Sequence, residues 1–170
     1  MKIQLSRDWS EFLSLLIENG ARFLLVGGHA VAAHGEPRLT EGLDLFVEAT
    51  RDNAIRSRRA LVAFGFGEQV PSVEELPVAG RIWMLGRKPW RIDLLTRIDS
   101  VSFETAWKGR VEADFATRPL YVIGKKELLA NKRAAGRPKD LADVEALESM
   151  PAGASVEPRR RPASKGRRRR

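Results

Sequence analysis

The 170-residue sequence has no cysteine and only two histidines. Without thiols neither a disulfide framework nor a thiolate metal site can form, and a zinc site built on His29 and His34 would have to borrow carboxylates. The expected metal, if one binds, is a hard ion held on oxygen. Long apolar runs are missing too: nowhere do about 18 apolar residues follow one another, the length a bilayer span needs. The opening stretch MKIQLSRDWSEFLSLLIENG sets acidic residues among apolar ones, unlike a secretory leader. The expectation is a soluble, cytoplasmic protein with no membrane partner.

The net charge of +8 points to nucleic acid until it is localised. Eight of the 30 basic residues and one of the 22 acidic ones lie in PAGASVEPRRRPASKGRRRR, residues 151–170, so seven of the eight net charges sit there. The chain therefore reads as one domain over residues 1–150, about neutral, followed by an Arg-rich tail over 151–170. The tail has almost nothing to bury and repels itself, which predicts disorder. Two roles are open to it: an arm on RNA or DNA that releases counterions, with Arg159–Arg170 as the contact region, or a solubilising terminus. A domain of this length buries on the order of 70% of its unfolded surface, enough for a real core.

Along the body, Asp8 with Glu11 reads as a capping box that opens a helix carrying Trp9, Phe12, Leu13, Leu16 and Ile17 and ending at Gly20. RFLLV, Arg22 to Val26, is a short apolar strand, GGHAVAAHG a glycine turn into a short helix, and Leu43 to Glu48 a second strand. RDNAIRSRRALVAFGFG predicts an amphipathic helix with Ile55, Leu61 and Phe64 facing inward. RIWML and RIDLLTRI, joined by GRKPW, predict a hairpin. A short helix at FETAW, two extended pieces (RVEADFA and LYVI) and two helices follow. The last two are KKELLANKRAAG, stopped by Gly136, and PKDLADVEALESM, opened by Pro138. No strict βαβ repeat appears, so the fold class is mixed α/β (α+β): a small mixed sheet flanked by helices, closed by a C-terminal helical pair.

Asp44 in LDLF and Asp93 in IDLL are carboxylates set inside apolar strands. An ionised carboxylate there is costly unless paired, hydrogen-bonded or metal-bound. Each alone could face solvent from the polar side of a pleat. On neighbouring strands about 4.8 Å apart, both could reach one cation. Gly27 and Gly28 end one strand and enter a helix, where free backbone N–H groups would admit a phosphate, though a plain tight turn also explains them. Neither the dinucleotide-binding glycine spacing nor a P-loop is present. Lys132, four residues after Leu128, falls on the same helical face; a stem snorkelling along the core would account for it. Asp140, in the first turn of its helix, suits the helix dipole whatever else it does. His29 and His34 read first as packing or turn residues.

The blocks VGGHAVAAHGEPRLTEGLDLFVE, RIDLLTRID and ELLANKRAAGRPKDLADVEAL, in this order over most of residues 20–148, resemble the minimal nucleotidyltransferases of the polymerase-beta superfamily. The likeness is to the AbiEii-like group of abortive-infection and toxin–antitoxin systems. It implies the nucleotidyltransferase fold and a Mg²⁺-dependent transfer of a nucleoside monophosphate from an NTP to an RNA end, tRNA included, or to a protein hydroxyl. A cognate antitoxin is an implied partner.

By the same likeness Asp44 and Asp93 match the metal-holding carboxylates, and Asp140 joins them as catalytic. Gly27, Gly28, Arg38, Thr40 and Lys132 match nucleotide-binding positions, although Pro37-Arg38 also reads as a plain turn. Asp140 and Asp143 match a closing Arg-x-x-Asp-x-x-Asp element. The family's Asp-x-Asp motif is incomplete here, because its first position is Gly42. Residues i and i+2 of a strand share a face, so a carboxylate at 42 would stand beside Asp44; Glu41 points the other way unless a bulge re-aims it. The alternative is thus a catalytically impaired nucleotidyltransferase scaffold that binds a partner protein or RNA, and a third possibility is a nucleic-acid-binding module driven by the tail.

Overall fold

The apolar runs become the strands of one mixed sheet. The computed structural model describes residues 3, 5–40, 42–115 and 118–150. Among them the strands are β1 (Phe23–Leu25), β2 (Gly42–Val47), β3 (Ile82–Leu85), β4 (Arg91–Leu95), β5 (Val111–Ala113) and β6 (Leu120–Val122). The helices are α1 (Arg7–Glu18), α2 (Gly27–Ala33), α3 (Arg51–Phe64), α4 (Phe103–Lys108), α5 (Lys125–Ala135) and α6 (Pro138–Ser149). The six strands run in the order β3-β4-β2-β1-β6-β5. β1–β2, β3–β4 and β5–β6 pair antiparallel, whereas β2–β4 and β1–β6 pair parallel. The mixed α/β class and the RIWML/RIDLL hairpin are as expected from the sequence.

β1 is buried at every position, as a central strand covered on both faces must be. Alternation along β2 sends Leu43, Leu45 and Val47 to one face and Gly42, Asp44 and Phe46 to the other. Phe46 meets Phe103 of α4 edge-on, with ring centroids 5.2 Å apart, so α4 covers the face that carries Asp44. Phe12, Leu13 and Leu16 of α1 are fully buried, together with Leu24, Leu25, Leu43, Leu45 and Leu94 of the sheet. Each such side chain contributes about 1.5–3 kcal/mol of transfer free energy.

Two local expectations change. The first helix begins at Arg7, not Asp8, because Ser6 is its cap: the Ser6 hydroxyl accepts the Trp9 N–H at 3.2 Å, the cap-to-third-residue bond that a serine makes as readily as an aspartate. In α3 Leu61 is buried as expected and half-buried Phe64 packs on Phe12, but Ile55 is only half-buried and Asn53, Ala54, Ser57 and Ala60 are buried beside Leu61. Asn53 sets this rotation. Its amide donates to the carbonyls of Arg22 (2.9 Å) and Glu48 (3.0 Å) and its oxygen accepts the Arg22 N–H (2.7 Å), tying α3 to the ends of β1 and β2. Small residues then form the stripe that faces inward. Residues 151–170 and Glu41 lie outside the described residues, and no described helix is long and apolar enough to cross a membrane.

Candidate functional site

The parallel register of β2 and β4 sets Asp44 directly opposite Asp93 and Gly42 directly opposite Arg91. All four positions share one face of the sheet. The two carboxylates differ in their surroundings. Asp93 is 7% exposed and receives Arg91 Nη2 on Oδ2 at 2.7 Å, while its Oδ1 is buried with no hydrogen-bond partner. Asp44 is half-buried, and none of the hydrogen bonds or ion pairs among the described residues reaches its carboxylate. Burial, reinforced by the neighbouring Asp93 charge, pushes the Asp44 carboxyl up to about 6, against the opposing pull of Arg91, Lys132 and Lys139.

The glycine turn closes this corner. Val26 donates its N–H to the Asp44 carbonyl at 3.0 Å, which brings the start of α2 against Asp44. Gly27 adopts φ +64°, and a Cβ there would lie 2.8 Å from Asp44 Cγ, so a side chain and the Asp44 carboxylate cannot both fit. A Cβ at Gly28 would collide with Thr40 Cγ2. α2 has no side-chain cap, so its first-turn amides, which lack partners within the helix, stay available beside the carboxylates. Thr40 is held by a 2.7 Å hydrogen bond between its Oγ1 and His29 Nε2, and His29 packs edge-on to Trp9. His34 Nε2 bonds the Ile123 carbonyl oxygen at 2.8 Å, a structural role for that ring.

The C-terminal helices add a chain of alternating charges. Arg137 Nε donates to Asp140 Oδ2 (2.5 Å), Lys132 Nζ lies 3.0 Å from Asp140 Oδ1 and 2.8 Å from Asp143 Oδ2, and Arg38 Nη1 lies 2.9 Å from Asp143 Oδ1. Lys132, Asp140 and Asp143 are all buried, which the three cations make tolerable. Burial alone would raise the Asp140 carboxyl, but the hydrogen bonds from Arg137 and Lys132 win and hold it below its ordinary value. Of the residues singled out in the sequence, Asp44 stands opposite Asp93 and against Gly27, and Gly28 and Thr40 pack at the same turn. Arg38, Lys132 and Asp140 belong to the adjoining charge chain, close enough for Lys132 to act on Asp44 electrostatically. Arg91 and Asn53 were missed as players. Arg91 could have been found from its place two residues before Asp93, on the same strand face.

Two unpartnered oxygen donors, the Asp44 carboxylate and Asp93 Oδ1, fit one hard cation whose remaining positions come from water and triphosphate oxygens. They do not fit a pair of ions. No group of three or more His, Asp or Glu side chains able to hold a metal gathers among the described residues, and position 42 offers no donor. Gly42 is not there for a left-handed backbone, since it lies in an extended strand; a Cβ would meet the Arg91 backbone carbonyl oxygen at 3.2 Å, so a side chain there requires a shift of a few tenths of an ångström. A scan against protein-family models and a search of curated proteins return no match to the chain.

Proposed function

We propose that the protein is a nucleotidyltransferase-like protein that binds a nucleoside triphosphate at the Asp44–Asp93 corner and passes its nucleoside monophosphate to an RNA end or a protein hydroxyl. The observation that carries this is the register of β2 and β4, which sets two carboxylates side by side with a free oxygen on each, against a glycine turn that excludes side chains. Asp44 and Asp93 would hold Mg²⁺, which when bound neutralises the triphosphate and activates the attacking hydroxyl. Gly27 and Gly28 leave backbone amides open to phosphate. Lys132 contributes positive potential from within its ion-paired cluster, and Arg38 ties the loop bearing Thr40 to α6 through Asp143. Asp140 acts through Lys132 and Arg137 and not on the phosphates, a positioning role. The likeness to AbiEii-like proteins supports the same class and makes a toxin–antitoxin setting, with an antitoxin partner, the natural one to test.

Gly42 favours a second reading, a scaffold that binds nucleotide and a partner protein or RNA with little turnover. Catalysis of this kind is mostly positioning and charge neutralisation, so a missing ligand removes much of the rate. Labelled NTPs with Mg²⁺ and total RNA, or with total protein as acceptor, separate the two. Transfer by the native chain that disappears in Asp44→Ala supports the enzyme. Transfer by Gly42→Asp alone supports the scaffold, and transfer by neither chain removes the chemistry.

A further inference from the structure

Gly42 and Arg91 face each other across two hydrogen-bonded parallel strands, on the side of the sheet that carries Asp44 and Asp93. A carboxylate at 42 would stand next to this guanidinium; with glycine directly opposite, Asp44 is the acidic residue of β2 that Arg91 acts on, through charge and not through a hydrogen bond. Arg91 instead reaches along its own strand to Asp93 Oδ2, at 2.7 Å. That bond is single and end-on. Arg91 Nε is buried with no hydrogen-bond partner, as is Asp93 Oδ1, so a donor and an acceptor stay unused within one residue pair. The Arg91 side chain is 31% exposed where that of Asp93 is 9% exposed, so the arginine borders solvent while the carboxylate is enclosed. A buried donor left unused costs stability, and a turn of the side chain that presents it to an anionic ligand recovers that cost.

Charge decides how many ions such a site admits. Asp44 and Asp93 bring two negative charges and Arg91 one positive. A single divalent ion then leaves the corner with one net positive charge, suited to a triphosphate. A second ion would leave three, with no third carboxylate to hold it.

We propose that Arg91 is the resident second cation of this site: its guanidinium takes phosphate oxygens of a nucleoside triphosphate beside a single divalent ion, in the place a ligand at position 42 would otherwise give to a second ion. This rests on the nucleotide-binding reading above.

The test counts ions and measures nucleotide affinity without turnover. Mn²⁺ is titrated into the full chain by electron paramagnetic resonance, with each of the four α,β-methylene nucleoside triphosphates present in turn. The native chain takes one Mn²⁺ with the analogue it binds. Arg91→Gln weakens that analogue at least about ten-fold, the loss expected for a charged hydrogen bond, and leaves the Mn²⁺ count at one. Arg91→Lys recovers most of the affinity, and Gly42→Asp takes a second Mn²⁺. Two ions on the native chain, or analogue affinity unchanged in a folded Arg91→Gln, overturns the role of Arg91 and leaves nucleotide binding standing. Should Arg91→Gln fail to fold, the ion count on the native chain still decides. Native protein that binds none of the four analogues removes the nucleotide reading and the inference together.

Discussion

Asp44 stands opposite Asp93 in the parallel pairing of β2 and β4, yet only Asp93 has a cation bonded to it, the Arg91 guanidinium at 2.7 Å. The unpaired member of the couple therefore bears the cost of burial, and its carboxyl is pushed up to about 6 from an ordinary 3.8. Between those values the native chain holds a proton that the unfolded chain has released, so stability falls as pH rises through this window and stays reduced above it. Asp44→Asn should thus stabilise the protein by about 1–3 kcal/mol near neutral pH, the solvated part of the carboxylate keeping the gain below the full shift. At about pH 4, below most of the shift, the gain should nearly vanish. Urea midpoints of both chains at several pH values check this, and an equal gain at acid and neutral pH would rule it out.

Lys132 is the hinge of the charge chain between α5 and α6, within 3.0 Å of Asp140 and 2.8 Å of Asp143. Lys132→Met keeps most of the stem volume but leaves two buried carboxylates one cation short. We expect a loss of about 3–5 kcal/mol, the cost of breaking a buried pair from one side. Adding Asp143→Asn to Lys132→Met should return part of it, since the damage lies in the stranded charge. A double-mutant cycle by chemical denaturation measures the coupling, and strict additivity would contradict it.

Much of this arrangement could be read from the sequence, and the reasons are physical. Asp44 and Asp93 stood out because charge inside an apolar strand is rare unless something compensates it, and their shared sheet face follows from strand parity once β2 and β4 pair. Lys132 stood out through its helical spacing from Leu128; both are buried on α5. What the sequence concealed were long-range partnerships. Arg38 reaches Asp143 of α6, and Asn53 bridges β1 and β2 from α3, pairings that no local pattern encodes. Asn53 also explains the one departure on the inward face of α3: Leu61 is buried and Phe64 packs against Phe12, but three hydrogen bonds to backbone fix the start of the helix and Ile55 turns half outward.

Gly27 and Gly20 share nearly the same φ, +64° and +69°, but differ in what a side chain would meet. Nothing lies within 4 Å of a Cβ at Gly20, while one at Gly27 runs into the Asp44 carboxylate. Gly20→Ala should cost about 1 kcal/mol, the left-handed backbone penalty alone. Gly27→Ala should cost clearly more and also displace Asp44, removing nucleotide binding at pH 7. Thermal melts compare the stabilities, and nucleotide titration reads the second effect. Matching losses in the two variants, with binding intact in both, would mean that Gly27 makes no room for Asp44.

The tail predicts a salt signature that the body cannot produce. Residues 1–150 carry 22 basic and 21 acidic side chains, whereas residues 151–170 carry eight basic and one acidic. If the tail grips RNA, each phosphate it neutralises adds about 0.7 to the slope of log affinity against log salt for a single strand. Eight basic residues set an upper limit of about 6 on its contribution. A chain ending at Met150 should then bind RNA far more weakly at low salt and with a much flatter slope, while the nucleotide affinity of the Asp44–Asp93 corner is unchanged. RNA titrations of both chains between about 50 and 200 mM salt, a range over which such contacts lose orders of magnitude in affinity, supply the comparison. An unchanged slope after truncation would instead place RNA contacts on the near-neutral body, where exposed cations such as Arg137 and Lys139 near Asp44 would have to supply them.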